Sequence, residues 1–225
     1  MPIVRHDMLP AGGELGIWHI TEPEDWFLEK LFLYPPELRQ LSELKGRRRV
    51  EWLAVRQLVH QMSGRSLRGA FIKDEFGKPH LHESDWQISI SHSHGLAAAI
   101  AAPQLCGIDI QFLVPKITRL AHKFLRPEEA ACLVPAHELD QIHFFWGAKE
   151  ALYKAHGRRQ LEFIDHILVK PFTYAGPHGQ TLGWVQKDEE KQTFDIHYER
   201  SPEGYMLVWA LATENLDPKQ KNTYI

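Results

Sequence analysis

Cysteine is scarce in this chain: there are two in 225 residues, Cys106 and Cys132, with no C-x-x-C spacing. That excludes a disulfide framework, and two thiols in a chain of this size predict a reducing, cytoplasmic location. An excess of charge of one sign is also missing. The 26 Lys plus Arg stand against 29 Asp plus Glu, a formal net charge of −3. No global basic field therefore points to nucleic acid or an anionic membrane, and any phosphate site has to be local. Long hydrophobic runs are absent too. The longest, 96–103, falls far short of the ~20 residues that span a bilayer, and Met1-Pro-Ile-Val-Arg-His-Asp7 lacks the apolar stretch of a secretion signal. No low-complexity tract or long linker appears. What remains is 44% hydrophobic and 24% charged, a composition that excludes disorder and collagen. A chain of this length buries about 70% of the surface its unfolded form exposes and corresponds to one or two domains.

Periodicity organises the chain. Residues 16–20 read as a strand, followed by helical stretches at 23–33 and 36–44. In 46–62 the apolar Val55, Leu58, Val59 and Met62 recur at i, i+3, i+4 and i+7, one buried helical face, and Ser63-Gly64 ends it. Residues 87–93 alternate, with Ile88 and Ile90 on one face and Ser89, Ser91 and Ser93 on the other, which predicts a half-buried strand with a solvated serine face. The alanine-rich 96–102 is too short between His94-Gly95 and Pro103 for a helix and is read as a strand, as is 106–111. The second half repeats this order. Gly107-Ile108 opens a strand as Gly16-Ile17 does, helical stretches follow at 118–125 and 127–133, and a long helix covers 138–156. Strands are expected at 161–172, 181–187, 193–199 and 205–213, with a polar, frayed end at 217–225. The spacing predicts two similar α+β halves, 1–103 and 104–225.

Four clusters carry possible chemistry. On the second long helix Trp146, Glu150 and Lys154 recur at i, i+4 and i+8 beside a buried stripe of Phe145, Ala148, Leu152 and Ala155. By itself this is an ordinary surface ion pair. In Gly107-Ile-Asp-Ile-Gln111, Asp109 and Gln111 share a face opposite two isoleucines, and an acid there costs free energy unless it is paired or binds a cation. Two carboxylates, Asp109 and Glu150, with waters and substrate phosphates match the usual way of holding Mg²⁺. Ser89-Ile-Ser-His-Ser93 offers hydroxyls and an imidazole where phosphate could hydrogen-bond. No Cys or acid stands near His92 and His94 at zinc-ligand spacing. Lys45-Gly-Arg-Arg-Arg49, then Arg56, places cations in a helix's first turn, where the dipole disfavours them unless an anion binds.

Taken together, Gly107-Ile-Asp-Ile, Phe145-Trp-x-x-Lys-Glu-Ala-x-x-Lys154, Ile-Ser-His-Ser and Gly77-Lys-Pro79 resemble the 4′-phosphopantetheinyl transferases of the surfactin-synthetase-activating type. The resemblance runs from about residue 47 to 157. It implies an α+β pseudo-dimer, each half a small, mostly antiparallel sheet packed on a long helix. It also implies Mg²⁺-dependent transfer of phosphopantetheine from coenzyme A to a serine of an apo acyl or peptidyl carrier protein, releasing adenosine 3′,5′-bisphosphate. On matching positions Asp109 and Glu150 would hold Mg²⁺, and Lys154 would meet the phosphate attacked. Ser91 and His92 would bind coenzyme A phosphates, Lys78 and Pro79 would border the adenine, and Arg48 with Arg47 would face the 3′-phosphate. Arg56 matches a family arginine of less defined role. Many members carry Glu where this chain has Gln111. An amide oxygen there would make Gln111 a weaker metal ligand, so Gln111→Glu should lower the Mg²⁺ requirement. The base for the carrier serine is Glu150 or a water it orients.

The family's additional lysines before residue 47 have no clear counterpart, with Arg39 and Lys45 as candidates. Arg119, His122, Lys123 and Arg126 are the expected docking surface for an acidic carrier helix. Competing readings are a metal-dependent phosphodiester hydrolase, a coenzyme A-binding protein without transferase activity, and a nucleic-acid binder using residues 45–49 and Trp52. A monomer is expected, with neither nucleic acid nor membrane as partner.

Overall fold

The computed structural model describes residues 3–10, 12–158 and 160–213; the end expected to fray, 217–225, lies outside them. Two antiparallel sheets form the centre. The first contains β1 (Ile3–Met8), β2 (Glu14–His19), β3 (Phe71–Lys73), β4 (Pro79–Leu81), β5 (Gln87–Ser93) and β6 (Leu96–Ala102), in the order β1-β2-β6-β5-β4-β3. The second contains β7 (Cys106–Phe112), β8 (Ile167–Val169), β9 (His178–Lys187), β10 (Glu190–Arg200) and β11 (Tyr205–Ala212), in the order β7-β11-β10-β9-β8. Apart from β1, the second order repeats the first strand for strand. The helices follow the same plan: α1 (Glu24–Lys30), α2 (Pro35–Glu43) and the long α3 (Arg47–Ser63) in one half, α4 (Pro127–Ala130) and the long α5 (Glu138–His156) in the other. The expected α+β architecture of two related halves is present.

Alternation along the strands builds four layers, helix on sheet on sheet on helix. Trp18, Ile88, Ala97 and Ala99 pack on Leu53, Leu58 and Met62 of α3, while Leu15, Ala98 and Ile100 face the second sheet's Ile108, Ile110, Leu207 and Trp209. The other side of that second sheet, including Ile196, Met206 and Val208, packs on Phe145, Ala148 and Leu152 of α5. Small alanines on both faces of β6 let three layers approach closely, which explains why a helix-favouring composition forms a strand here.

The serine face of β5 is buried, contrary to the solvated face that its pattern suggests. Ser89, Ser91 and Ser93 accept hydrogen bonds from the backbone N–H of Ile108 (3.1 Å), Ile110 (3.2 Å) and Phe112 (3.2 Å). The outer edge of β7 has no neighbouring strand in its sheet, so three hydroxyls at strand period satisfy its orphan donors and stitch the halves together. Elsewhere Arg5 of β1 bonds Glu199 of β10 at 2.9 Å. The sequence reading did not assign β1; its mixed Ile-Val-Arg-His-Asp-Met pattern carries no clean period.

Each half is locked by one buried glutamate. Glu37, in the first turn of α2, accepts from the N–H groups of Tyr34 and Phe71 at 3.2 Å each and from Arg56 at 3.2 Å, and also pairs with Arg68. Glu129 of α4 accepts from the N–H groups of Arg126 (2.9 Å) and Val169 (3.0 Å) and pairs with Lys149 of α5 at 2.8 Å. Burial pulls the Arg56 guanidinium down to about 9 and lowers the Lys149 ammonium, each opposed by its glutamate. Lys149 also donates to the carbonyls of Phe163 and Ile167, both at 2.9 Å. The strand expected over 161–172 is reduced to Ile167–Val169, because the chain before it closes a turn in which the His166 N–H donates to the Glu162 carbonyl at 2.9 Å. The helix expected at 118–125 is instead a 3-10 segment, Pro115–Lys123, and the one at 127–133 shortens to α4.

Gly107 sets the distance between β7 and α5. A Cβ there would stand 1.8 Å from the Ala151 carbonyl oxygen, and neither backbone can yield cheaply. Gly107→Ala is expected to cost about 3 kcal/mol, a fall of roughly 6–12 °C in Tm for a chain of this size, measured by thermal unfolding. An unchanged midpoint would show that this close approach is not needed.

Candidate active site

The close β7–α5 contact brings one face of each element together. On α5, His143, Gly147, Glu150 and Lys154 fall at i, i+4, i+7 and i+11, a single narrow stripe. Trp146, one turn before Glu150, packs into the aromatic core against Phe124 (5.1 Å) and Phe163 (5.5 Å). On β7, Asp109 and Gln111 face α5, opposite the inter-sheet isoleucines.

Asp109 is buried and its oxygens are occupied. Oδ1 accepts from Lys154 Nζ at 2.7 Å and Ser91 Oγ at 2.9 Å, and Oδ2 accepts from Gln111 Nε2 at 3.2 Å. Lys154 uses its remaining N–H bonds on Ser91 Oγ (3.2 Å) and the Ile108 carbonyl (3.0 Å). Glu150 is different. Among the described residues its carboxylate makes no hydrogen bond or ion pair. Burial pushes its pKa up from the ordinary carboxylate range; Lys154 opposes that rise and the Asp109 charge adds to it. A partly buried carboxylate with no partner, repelled by a second carboxylate, is a group that a cation would stabilise. The residues therefore fit a divalent ion with two protein oxygens, although no three His, Cys, Asp or Glu side chains gather as a metal cluster among the described residues. Gln111, expected as a third ligand, turns its amide nitrogen toward Asp109, because its oxygen lies 2.7 Å from His143 Nδ1.

A basic cluster adjoins this one through β5. Ser91 points to β7, and the next residue, His92, points to α3, where its Nδ1 lies 3.2 Å from Glu51. Glu51 also pairs with Arg47 at 3.2 Å, and the Arg47 guanidinium sits against the Gly95 turn. Arg48 is exposed and, among the described residues, makes no hydrogen bond or ion pair. Arg49 is committed elsewhere, to Glu24 and the Leu41 carbonyl. Arg56 lies in the Glu37 network under Trp52, away from any anion site. Arg39 and Lys45 are exposed.

Lys78 crosses between the halves. Its buried ammonium donates to the Ala155 carbonyl at 2.6 Å, its stem lies against Gly157, and burial lowers its pKa. Asp74 folds the preceding turn by accepting from the N–H groups of Phe76 and Lys78, both at 2.9 Å, which sets Pro79 at the start of β4. Of the expected docking residues, Arg119, His122 and Lys123 are exposed, whereas Arg126 is tied to the Ile164 carbonyl at 2.6 Å.

Sequence reasoning missed Glu51, His143 and the Lys149–Glu129 pair. The i, i+4, i+7, i+11 stripe would have found His143; nothing in the local pattern marks Lys149 as buried. No helix among the described residues is long and apolar enough to cross a membrane. A search of curated proteins returned no match. Residues 105–210 match the family profile of the 4′-phosphopantetheinyl transferase superfamily, an interval that opens just before β7, takes in α5 and closes within β11. The part of the chain that carries Asp109, Glu150 and Lys154 is thus similar to the 4′-phosphopantetheinyl transferase superfamily.

Proposed function

We propose that this protein is a transferase of the surfactin-synthetase-activating type, which moves the phosphopantetheine arm of coenzyme A onto a serine of an apo acyl or peptidyl carrier protein and releases adenosine 3′,5′-bisphosphate. The observation that carries this is the Glu150 carboxylate, unpartnered among the described residues, beside Asp109, with Lys154 at 2.7 Å from the latter. The duplicated strand order supports the two-half type.

Asp109 and Glu150 would hold Mg²⁺, which supplies positive charge to the pyrophosphate as negative charge builds on the leaving oxygen. Lys154 adds a second cation at the phosphorus attacked, and exchange of its bonds to Asp109 and Ser91 for phosphate oxygens keeps it paired throughout. The serine Oγ forms the new bond to the phosphorus next to the pantetheine, and the bond from that phosphorus to the bridging oxygen breaks. Glu150 takes the serine proton directly or through a water it orients. Arg48, without a hydrogen bond or ion pair among the described residues, faces the 3′-phosphate, with Arg47 and His92 held at the same rim by Glu51. Lys78 and Pro79 border the adenine by position, since the Lys78 ammonium is already spent on Ala155. Ser91 serves through its hydrogen bonds to Asp109 and β7. Arg119, His122 and Lys123 form the carrier-docking surface, a role from which Arg126 is removed by its structural bond.

Carrier dependence of nucleotide release separates this reading from a metal-dependent hydrolase. With coenzyme A and Mg²⁺, adenosine 3′,5′-bisphosphate measured by chromatography should appear only when an apo carrier is added. Equal release without carrier would indicate hydrolysis.

A further inference from the structure

The sequence leaves His143 without a role, yet it is among the most buried polar residues of the chain, and its ring spans two partners. Nε2 lies 2.9 Å from the Val114 backbone N–H, and Nδ1 lies 2.7 Å from Gln111 Oε1. An amide N–H can only donate, so Nε2 carries the lone pair and Nδ1 carries the proton. The opposite tautomer would gain a longer contact to the Val114 carbonyl at 3.3 Å. It would also set N–H against N–H at Val114 and lone pair against lone pair at Gln111. The proton on Nδ1 then fixes the Gln111 amide. Its oxygen accepts from His143, and its nitrogen donates to Asp109 Oδ2 (3.2 Å) and to the His143 backbone carbonyl (3.1 Å). Turning the amide over would create three mismatched contacts at once. Gly147 provides the space, since a Cβ there would stand 2.8 Å from Gln111 Nε2.

We propose that His143 is a positioning residue that holds Gln111 as a hydrogen-bond donor to Asp109, so that Gln111 aims the Asp109 carboxylate and is not itself a ligand of the metal. This rests on the reading of Asp109 as a metal-holding residue, but its first test needs neither coenzyme A nor carrier. In ¹⁵N-labelled protein at neutral pH, the nitrogen shifts of His143 should report protonated Nδ1 and bare Nε2; the Nε2–H form would overturn the proposal. The second test is binding of Mn²⁺ alone, followed by the resonance of the free ion. Gln111→Leu and His143→Leu should weaken Mn²⁺ binding by the same factor to within about threefold, because each removes the one donor that aims Asp109 and neither removes a ligand. A loss in Gln111→Leu at least tenfold larger than that in His143→Leu would make Gln111 a ligand and sink the idea. In the transfer assay His143→Leu should lower kcat by about tenfold with the coenzyme A KM kept. His143→Asn, whose amide nitrogen falls near the place of Nδ1–H, should recover most of the loss. Equal losses in the Leu and Asn variants would reduce His143 to a packing role and contradict the proposal. If no Mn²⁺ binds even the unaltered protein, the metal reading fails, while the tautomer still decides the arrangement of His143 and Gln111.

Discussion

Alanine or asparagine at position 109 is expected to lower the transfer rate by roughly a thousandfold or more, the scale seen when electrostatic stabilisation of a transition state is removed. Two losses combine. Alanine removes one of two protein oxygens for the cation and asparagine removes its negative charge, and in both Lys154 loses its anionic partner at 2.7 Å. The fold should survive, because the Lys154 side chain is 26% exposed and can be hydrated, and its bonds to Ser91 and Ile108 remain. Thermal unfolding within a few degrees of the parent, together with a lost rate, is the expected pattern. An Asp109→Asn protein within tenfold of the parent rate, with the same Mg²⁺ dependence, would remove Asp109 from the chemistry.

The largest stability effect is expected far from that chemistry, at Glu129. Both side chains of the Glu129–Lys149 pair are 0% exposed. Glu129→Ala leaves a buried ammonium without its counter-charge, and the N–H groups of Val169 and Arg126 without an acceptor. Breaking a buried pair from one side costs about 3–5 kcal/mol, which for a chain of this size lowers Tm by roughly 10 °C or more. Glu129→Gln combined with Lys149→Met removes both charges and keeps an acceptor for Val169. It should be more stable than Glu129→Ala by at least half of that loss. A Glu129→Ala protein with an unchanged denaturant midpoint would show that Lys149 finds another partner.

Much of this was legible in sequence because periodicity survives in the long elements. Residues 138–156 are the helix α5 as expected, and 46–62 differs from α3 by one residue at each end. Asp109 and Lys154 meet at 2.7 Å because one motif lies on a strand and the other on the helix packed across it. Other features were set by contacts that strand or helix period does not encode. The Ser89–Ser93 face looked solvated because the donors that all three hydroxyls satisfy are the edge N–H groups of a strand from the other half. Strand 161–172 is reduced to Ile167–Val169 by a turn in which the His166 N–H donates to the Glu162 carbonyl. Gln111 offered its oxygen on paper, and a histidine 32 residues away decided its orientation.

The duplication does not extend to the Asp109, Glu150 and Lys154 positions. Gly16 of β2 presses on Leu58 and Met62 of α3 much as Gly107 presses on Ala151 and Ala155 of α5. In that register Glu150 and Lys154 correspond to Gln57 and Gln61, and Asp109 corresponds to the fully buried Trp18. The helix starts differ as well. α3 opens on Arg47 and Arg48, whereas the first turn of α5 carries Glu138 and Asp140. The two helix starts thus carry opposite charge, and Asp109, Glu150 and Lys154 have no like counterparts in the first half.

The intact mass of an apo carrier protein after incubation with this protein, coenzyme A and Mg²⁺ is the most direct measurement. Transfer predicts a gain of one phosphopantetheine located on a serine, matched by an equal amount of adenosine 3′,5′-bisphosphate, and lost in Asp109→Ala and Glu150→Ala. Coenzyme A cleaved with no gain on any of a panel of apo carriers, or a gain undiminished in both variants, would contradict it.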